Sequence, residues 1–167
     1  MSLPYVIMAL VTLQRLAELV IAARNTRRLK ARGAVEIGAG HYPAVVVLHA
    51  AWLAVLWAGA GGRTVNLTLL GVFVLLQAAR IWVLATLGGR WTTRIIVLPG
   101  APLVTGGPFR FVRHPNYCVV VAEIAVLPLV FGMTWVALVF TVLNAAMLRV
   151  RIGAEHRALY GRGTPGP

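Results

Sequence analysis

The feature that most constrains this chain is a succession of apolar runs divided by arginine-rich connections. An apolar run of about 18 residues or more, placed in lipid, can satisfy its backbone polar groups only as a helix. Five runs, at about 3–23, 43–57, 65–87, 115–131 and 133–148, predict five helices. Composition agrees: 59% of residues are hydrophobic and only 12% charged, with a mean hydropathy of +0.82, which does not suit a soluble domain. The fold class expected is therefore all-α integral membrane. It comprises five transmembrane helices, a cytoplasmic cap and a short C-terminal helix, in a single domain over residues 1–167 with no internal repeat.

Charge sets the orientation. Fifteen arginines and Lys30 stand against four glutamates and no aspartate, a formal net charge of +12. Thirteen of those sixteen basic residues lie in 24–32, 88–114 and 149–162. Because they sit between apolar runs, attraction to anionic lipid explains them better than nucleic acid does. The positive-inside rule then predicts the amino terminus outside and the carboxyl terminus in the cytoplasm. The preference for arginine and alanine points to a GC-rich genome and a bacterial inner membrane. The positive charges follow the first run rather than precede it, so that run reads as a retained helix rather than a signal peptide. Cys118 is the one cysteine, which excludes an intramolecular disulfide.

Several polar residues interrupt the apolar runs: Arg15, Glu18, Gln77, Arg80, Glu123 and Asn144. Arg15 and Glu18, one turn apart, can pair. Glu123 has two readings, an ion pair with Arg80 or Arg15, or a proton acceptor beneath a reaction site. The connection 88–114 is too long to be a mere link. Residues 93–98 and 102–105, around the Pro99-Gly100-Ala101-Pro102 turn, predict a hairpin-like cap.

Two stretches, within 106–160, carry the chemistry. The first is Gly106-Gly107-Pro108-Phe109-Arg110-Phe111-Val112-Arg113-His114-Pro115-Asn116-Tyr117. Pro115 suits the first turn of a helix, and His114 before it is pushed toward an extended conformation. A helix starting there, with unsatisfied N–H groups and two arginines, suits a carboxylate or phosphate. The alternative is an ordinary basic flank of a membrane helix. The second stretch, Arg151-Ile152-Gly153-Ala154-Glu155-His156-Arg157-Ala158-Leu159-Tyr160, sets Arg151, Glu155 and Leu159 one turn apart on one helical face. Its alternative is a solvated terminal helix with a weak ion pair.

Together the two stretches resemble the isoprenylcysteine carboxyl methyltransferase family of integral-membrane enzymes. That family carries Arg-His-Pro-x-Tyr, a helix hairpin, then Arg-Ile-x-x-Glu-Glu-x-x-Leu. This chain has Arg113-His114-Pro115-Asn116-Tyr117 and Arg151-Ile152 through Glu155 to Leu159, with His156 in place of the second glutamate. The resemblance covers about the last 80 residues. Gly40-His41-Tyr42-Pro43 and Gly89-Arg90-Trp91-Thr92-Thr93-Arg94 look like a short bacterial branch, whose members accompany type III polyketide synthases and O-methylate phenolic lipids or alkylpyrones.

The resemblance implies S-adenosyl-L-methionine as methyl donor at the cytoplasmic end of the last two helices. Arg113 and the helix start at Pro115 then face its carboxylate, Glu155 its ammonium with Arg151 as support, and Tyr117 and Trp91 its adenine or sulfonium. Leu159 and His114 complete the expected donor site. His114, Glu123 and Arg151 are the candidate catalytic residues. No metal is expected: His114 and Cys118 have metal-ligand spacing but no further ligand pattern nearby. His41 and His49 are candidates for lining the cavity. The expected activity is O-methylation of a lipophilic acceptor, with carboxyl methylation of a prenylated cysteine, or a small transporter or lipid-binding scaffold, as alternatives.

Overall fold

The computed structural model describes residues 2–160, with side chains through Ala154. Its helices are α1 (Leu3–Ala31), α2 (Tyr42–Gly59), α3 (Leu67–Leu87), α4 (Pro115–Val130) and α5 (Thr134–Tyr160). Two strands, β1 (Val35–Ile37) and β2 (Ile95–Val97), form one antiparallel pair. Four helical segments, Leu3–Ala31, Ala39–Gly59, Leu67–Arg90 and Thr134–Ala154, are long and apolar enough to cross a membrane. The fifth is shorter than a span requires: α4 has 16 residues, about 24 Å of rise against a hydrocarbon layer of about 30 Å. His114-Pro115 fixes its start, and its end is fixed by Pro128 and by Gly132, which turns the chain into α5 at φ +67.

Two helix ends differ from expectation. α1 continues past 23 because nothing between Arg24 and Ala31 breaks it. It stops at Gly33 (φ +86), where the N–H groups of Arg32 and Ala34 close on Leu29 O. α5 is one helix of 27 residues through Tyr160, so residues 149–160 continue it, and no separate short C-terminal helix is present among the described residues. Between 148 and 160 no proline and no left-handed residue stops it. The remaining boundaries fall within two residues of the apolar runs.

The cap is also a correction. Residues 95–97 are extended, but their partner is β1, from the α1–α2 connection, in the register Val35↔Val97, Glu36↔Ile96, Ile37↔Ile95. Residues 102–105 carry no strand. The predicted local hairpin gives way because Glu36 bonds both Lys30 and Arg94, which ties β1 to β2 across the sequence.

The bundle is layered. Its apolar core gathers Ile7, Met8 and Val11 of α1, Trp52 and Leu56 of α2, Phe73 of α3, and Ile124, Leu127 and Val130 of α4. These come from the start of α1 and α3 and from the end of α2 and α4, so the core occupies the end remote from the basic connections. Many outward side chains of α1, α3 and α5 are exposed and apolar, including Leu10, Leu13, Leu75 and Trp135, as lipid contact requires. The basic end is where the two motif stretches meet.

Candidate functional site

The polar residues inside the helices form a layer below that end. Arg80 of α3, 7% exposed, grips Glu18 of α1 through two hydrogen bonds of 2.6 Å. Its Nη1 donates to Glu123 Oε2 of α4 at 2.7 Å. Arg15 donates to the same oxygen at 2.8 Å and to Glu18 Oε2 at 3.2 Å. Gln14 adds a second donor to Glu18 Oε1 at 3.1 Å, and Gln77 donates to the remaining oxygen, Glu123 Oε1, at 2.8 Å. Two cations and two anions thus close a neutral layer that ties α1, α3 and α4 together. The pair expected between Arg15 and Glu18 forms, and Glu123 meets Arg15 and Arg80 together.

That geometry matches the first of the two readings of Glu123, the ion pair with Arg80 or Arg15. The carboxylate is 1% exposed and both oxygens already accept hydrogen bonds from charged or amide donors. A base needs a lone pair directed at a substrate proton, and both Glu123 oxygens are already taken up by donors from α1 and α3. Glu123 also lies about 12 Å along α4 from Pro115.

The layer above holds the motif residues. His114 caps α4 in a non-helical conformation (φ −129, ψ 63), and its ring stacks on Tyr117 at 5.3 Å and 16°. The helix start offers fewer N–H groups than expected. Pro115 has none, and the Tyr117 and Cys118 amides close on His114 O at 3.0 and 3.3 Å. From α5, the Arg151 guanidinium lies 5.7 Å from the centre of the Tyr117 ring, and its Nη2 donates to Thr93 O at 3.1 Å. Arg151 Nε is buried with no partner among the described residues, and so are Trp91 Nε1 and Asn116 Oδ1. The structure therefore brings His114, Tyr117 and Arg151 together with the 91–94 segment. Arg113 is exposed at the same helix start, and the side chains of Glu155 and Leu159 lie outside the described residues.

The segment 88–94 is held by groups that motif reading missed. Asn25, buried in the tail of α1, donates to Gly88 O (3.1 Å) and Trp91 O (2.8 Å). Tyr42 OH and Thr93 Oγ1 share a hydrogen bond of 3.0 Å, and the Arg94 guanidinium lies 4.1 Å from the centre of the Tyr42 ring. The signal for Asn25 was a polar amide among the basic residues at the end of α1; for Tyr42 it was its place beside Pro43. Lys30, followed by Arg94, holds the Glu36 carboxyl below its usual range, and Glu36 in turn raises Arg94.

An unpaired buried guanidinium N–H, an indole N–H and an amide oxygen beside two aromatic rings fit a zwitterionic ligand with an aromatic base. S-adenosylmethionine, with its carboxylate, ammonium and adenine, is such a ligand.

Comparison with known proteins agrees with the two motif stretches. The model of the isoprenylcysteine carboxyl methyltransferase (ICMT) family matches residues 69–161. A Bacillus subtilis (strain 168) relative, "Uncharacterized protein YpbQ", is 36% identical over 160 residues, covering 93% of this chain and 95% of the relative. An "Uncharacterized protein" of Haemophilus influenzae is 28% identical over 151 residues, covering 87% and 88%. No solved structure matches the chain.

Proposed function

The chain belongs to the isoprenylcysteine carboxyl methyltransferase family, and from that premise we propose an S-adenosylmethionine-dependent O-methyltransferase acting on a lipophilic acceptor, a phenolic lipid or alkylpyrone hydroxyl. The observation that carries this reading is the meeting of its two distant motifs, Arg151 over Tyr117 with Thr93 as its backbone anchor. An ordinary basic flank would have no reason to cross-link α4, α5 and the 88–114 connection.

When bound, S-adenosylmethionine supplies an electrophilic methyl group for direct in-line transfer, so positioning supplies most of the rate. Arg151 Nε and Arg113 face the donor carboxylate. By the family motif, Glu155 is the residue assigned to the ammonium, and Leu159 belongs to the same motif. Tyr117 and Trp91 wall the adenine or sulfonium. With Glu123 committed to arginines, His114 is the group placed to take a proton from an acceptor hydroxyl. A phenol, with a pKa of about 10, needs such help and an ionised carboxylate does not. The excess of arginine at this end supports a site facing the cytoplasm from the inner membrane, with the amino terminus outside.

The test is methyl transfer from labelled S-adenosylmethionine by the purified protein in nanodiscs. A long-chain alkylresorcinol, an alkylpyrone and a farnesylated cysteine are offered side by side. Methylation of the first two supports the proposal; methylation of the farnesylated cysteine alone overturns the acceptor. Failure of the protein to bind S-adenosylmethionine at all overturns the enzyme reading in favour of a transporter or scaffold.

A further inference from the structure

Beside the motif site, a cleft of about 480 Å³ opens between α1, the start of α2 and the segment before β2. We propose that it binds the phosphate headgroup of an anionic phospholipid. Leu19, Ala23, Arg27 and Lys30 contribute from α1, Tyr42 from α2 and Arg94 from the 88–94 side. The α1 residues follow the spacing of one helical face, so they form a stripe along the cleft. From Leu19 to Lys30 that stripe climbs about 16 Å, from an apolar half to a cationic half. An acyl chain followed by a phosphate has the same polarity along the same axis.

The charges leave room for an anion. Lys30 and Arg94 share the Glu36 carboxylate, one on each oxygen. Arg27 has no partner among the described residues. Three cations against one carboxylate leave two positive charges for a ligand. The Arg94 guanidinium is also held in place over the Tyr42 ring, so it does not have to be ordered on binding. The apolar half favours a lipid over free phosphate as the source of the anion. His114, Tyr117 and Arg151 do not line this cleft, but Thr93, whose carbonyl holds Arg151, does, so the cleft adjoins the proposed donor site and takes a different ligand.

The experiment is native mass spectrometry of the full chain released from micelles containing equal phosphatidylglycerol and phosphatidylcholine. One phosphatidylglycerol should be retained with a preference of about tenfold or more, the weight expected for two basic side chains beside an anionic headgroup. Arg27→Gln with Lys30→Gln should abolish that preference, while Arg28→Gln, one residue away on another face, should leave it. Should the double variant lose helicity, Arg27→Gln alone, which breaks no ion pair, should still weaken the preference. Four results overturn the site: no preference in the native chain, a preference that survives Arg27→Gln, equal loss in Arg28→Gln, or displacement of the lipid by millimolar inorganic phosphate.

Discussion

Replacing Glu123 by glutamine keeps the side-chain size and removes one charge from the neutral layer. Arg15 and Arg80 then share Glu18 alone, leaving one uncompensated cation inside the bundle. Breaking a buried pair by removing one partner costs about 3–5 kcal/mol in soluble proteins. Interhelical hydrogen bonds in membranes are worth less, about 0.6–1.7 kcal/mol each, and Glu123 accepts three of them. The two routes meet at about 2–5 kcal/mol, roughly 30-fold to several thousand-fold in the folding equilibrium. Unfolding of the reconstituted protein in increasing dodecyl sulfate, followed by tryptophan fluorescence, measures it. Adding Arg15→Gln restores neutrality while Arg80 keeps both its bonds to Glu18, so the double variant should regain about 1 kcal/mol or more. The reasoning fails if Glu123→Gln unfolds like the native chain yet loses about 10²–10⁴-fold in turnover, because the carboxylate would then be acting on substrate.

Asn25→Ala removes two hydrogen bonds to backbone carbonyls, the one to Trp91 buried and the one to Gly88 part-buried. It should cost about 1–3 kcal/mol and speed hydrogen exchange in residues 88–94 ahead of the helices; uniform exchange would deny it that anchoring role. Glu36 predicts a pH dependence. Its carboxyl is lowered from 4.5, so its support of the β1–β2 pair is fully present above about pH 4.5 and is lost as pH falls through the lowered folded value. Amide exchange at Ile96 should show that acid step, and Glu36→Gln should remove it.

Much of this architecture was legible in the sequence. The apolar runs located five helices because hydrocarbon leaves the backbone no other way to satisfy itself. Pro115 and Gly132 marked their ends because each permits few conformations. The strand pair was not legible: Val35-Glu36-Ile37 and Ile95-Ile96-Val97 say extended, but nothing local names the partner 60 residues away. Glu123 illustrates the same limit inside a helix. Its depth announced that something must meet it, and only the packing of α1 and α3 shows that two arginines do. Of the candidate site, His114, Tyr117 and Arg151 were singled out through the family motifs, because spacing alone also allows a basic flank and a solvated helix. The Asn25 side chain bonds the carbonyls of Gly88 and Trp91, and Thr93 holds Arg151 through its own carbonyl; motifs do not record bonds to backbone atoms.

The short α4 has a further consequence for the chemistry. With about 24 Å of helix in a layer of about 30 Å, a turn at Gly132 seated at one surface leaves the other end some 6 Å below the opposite one. His114 and Tyr117 then lie beneath the interface, where a lipid-anchored hydroxyl resides and where charges are poorly screened. Cys118, the sole cysteine, is exposed in the first turn of α4 and reports that depth without any substitution. A bimane attached there should be quenched more by lipids brominated high on their acyl chains than by aqueous iodide or by bromines near the bilayer centre. Dominant quenching by iodide would put the start of α4 in water. The site would then open to soluble acceptors, and the case for a lipophilic one would fall with it.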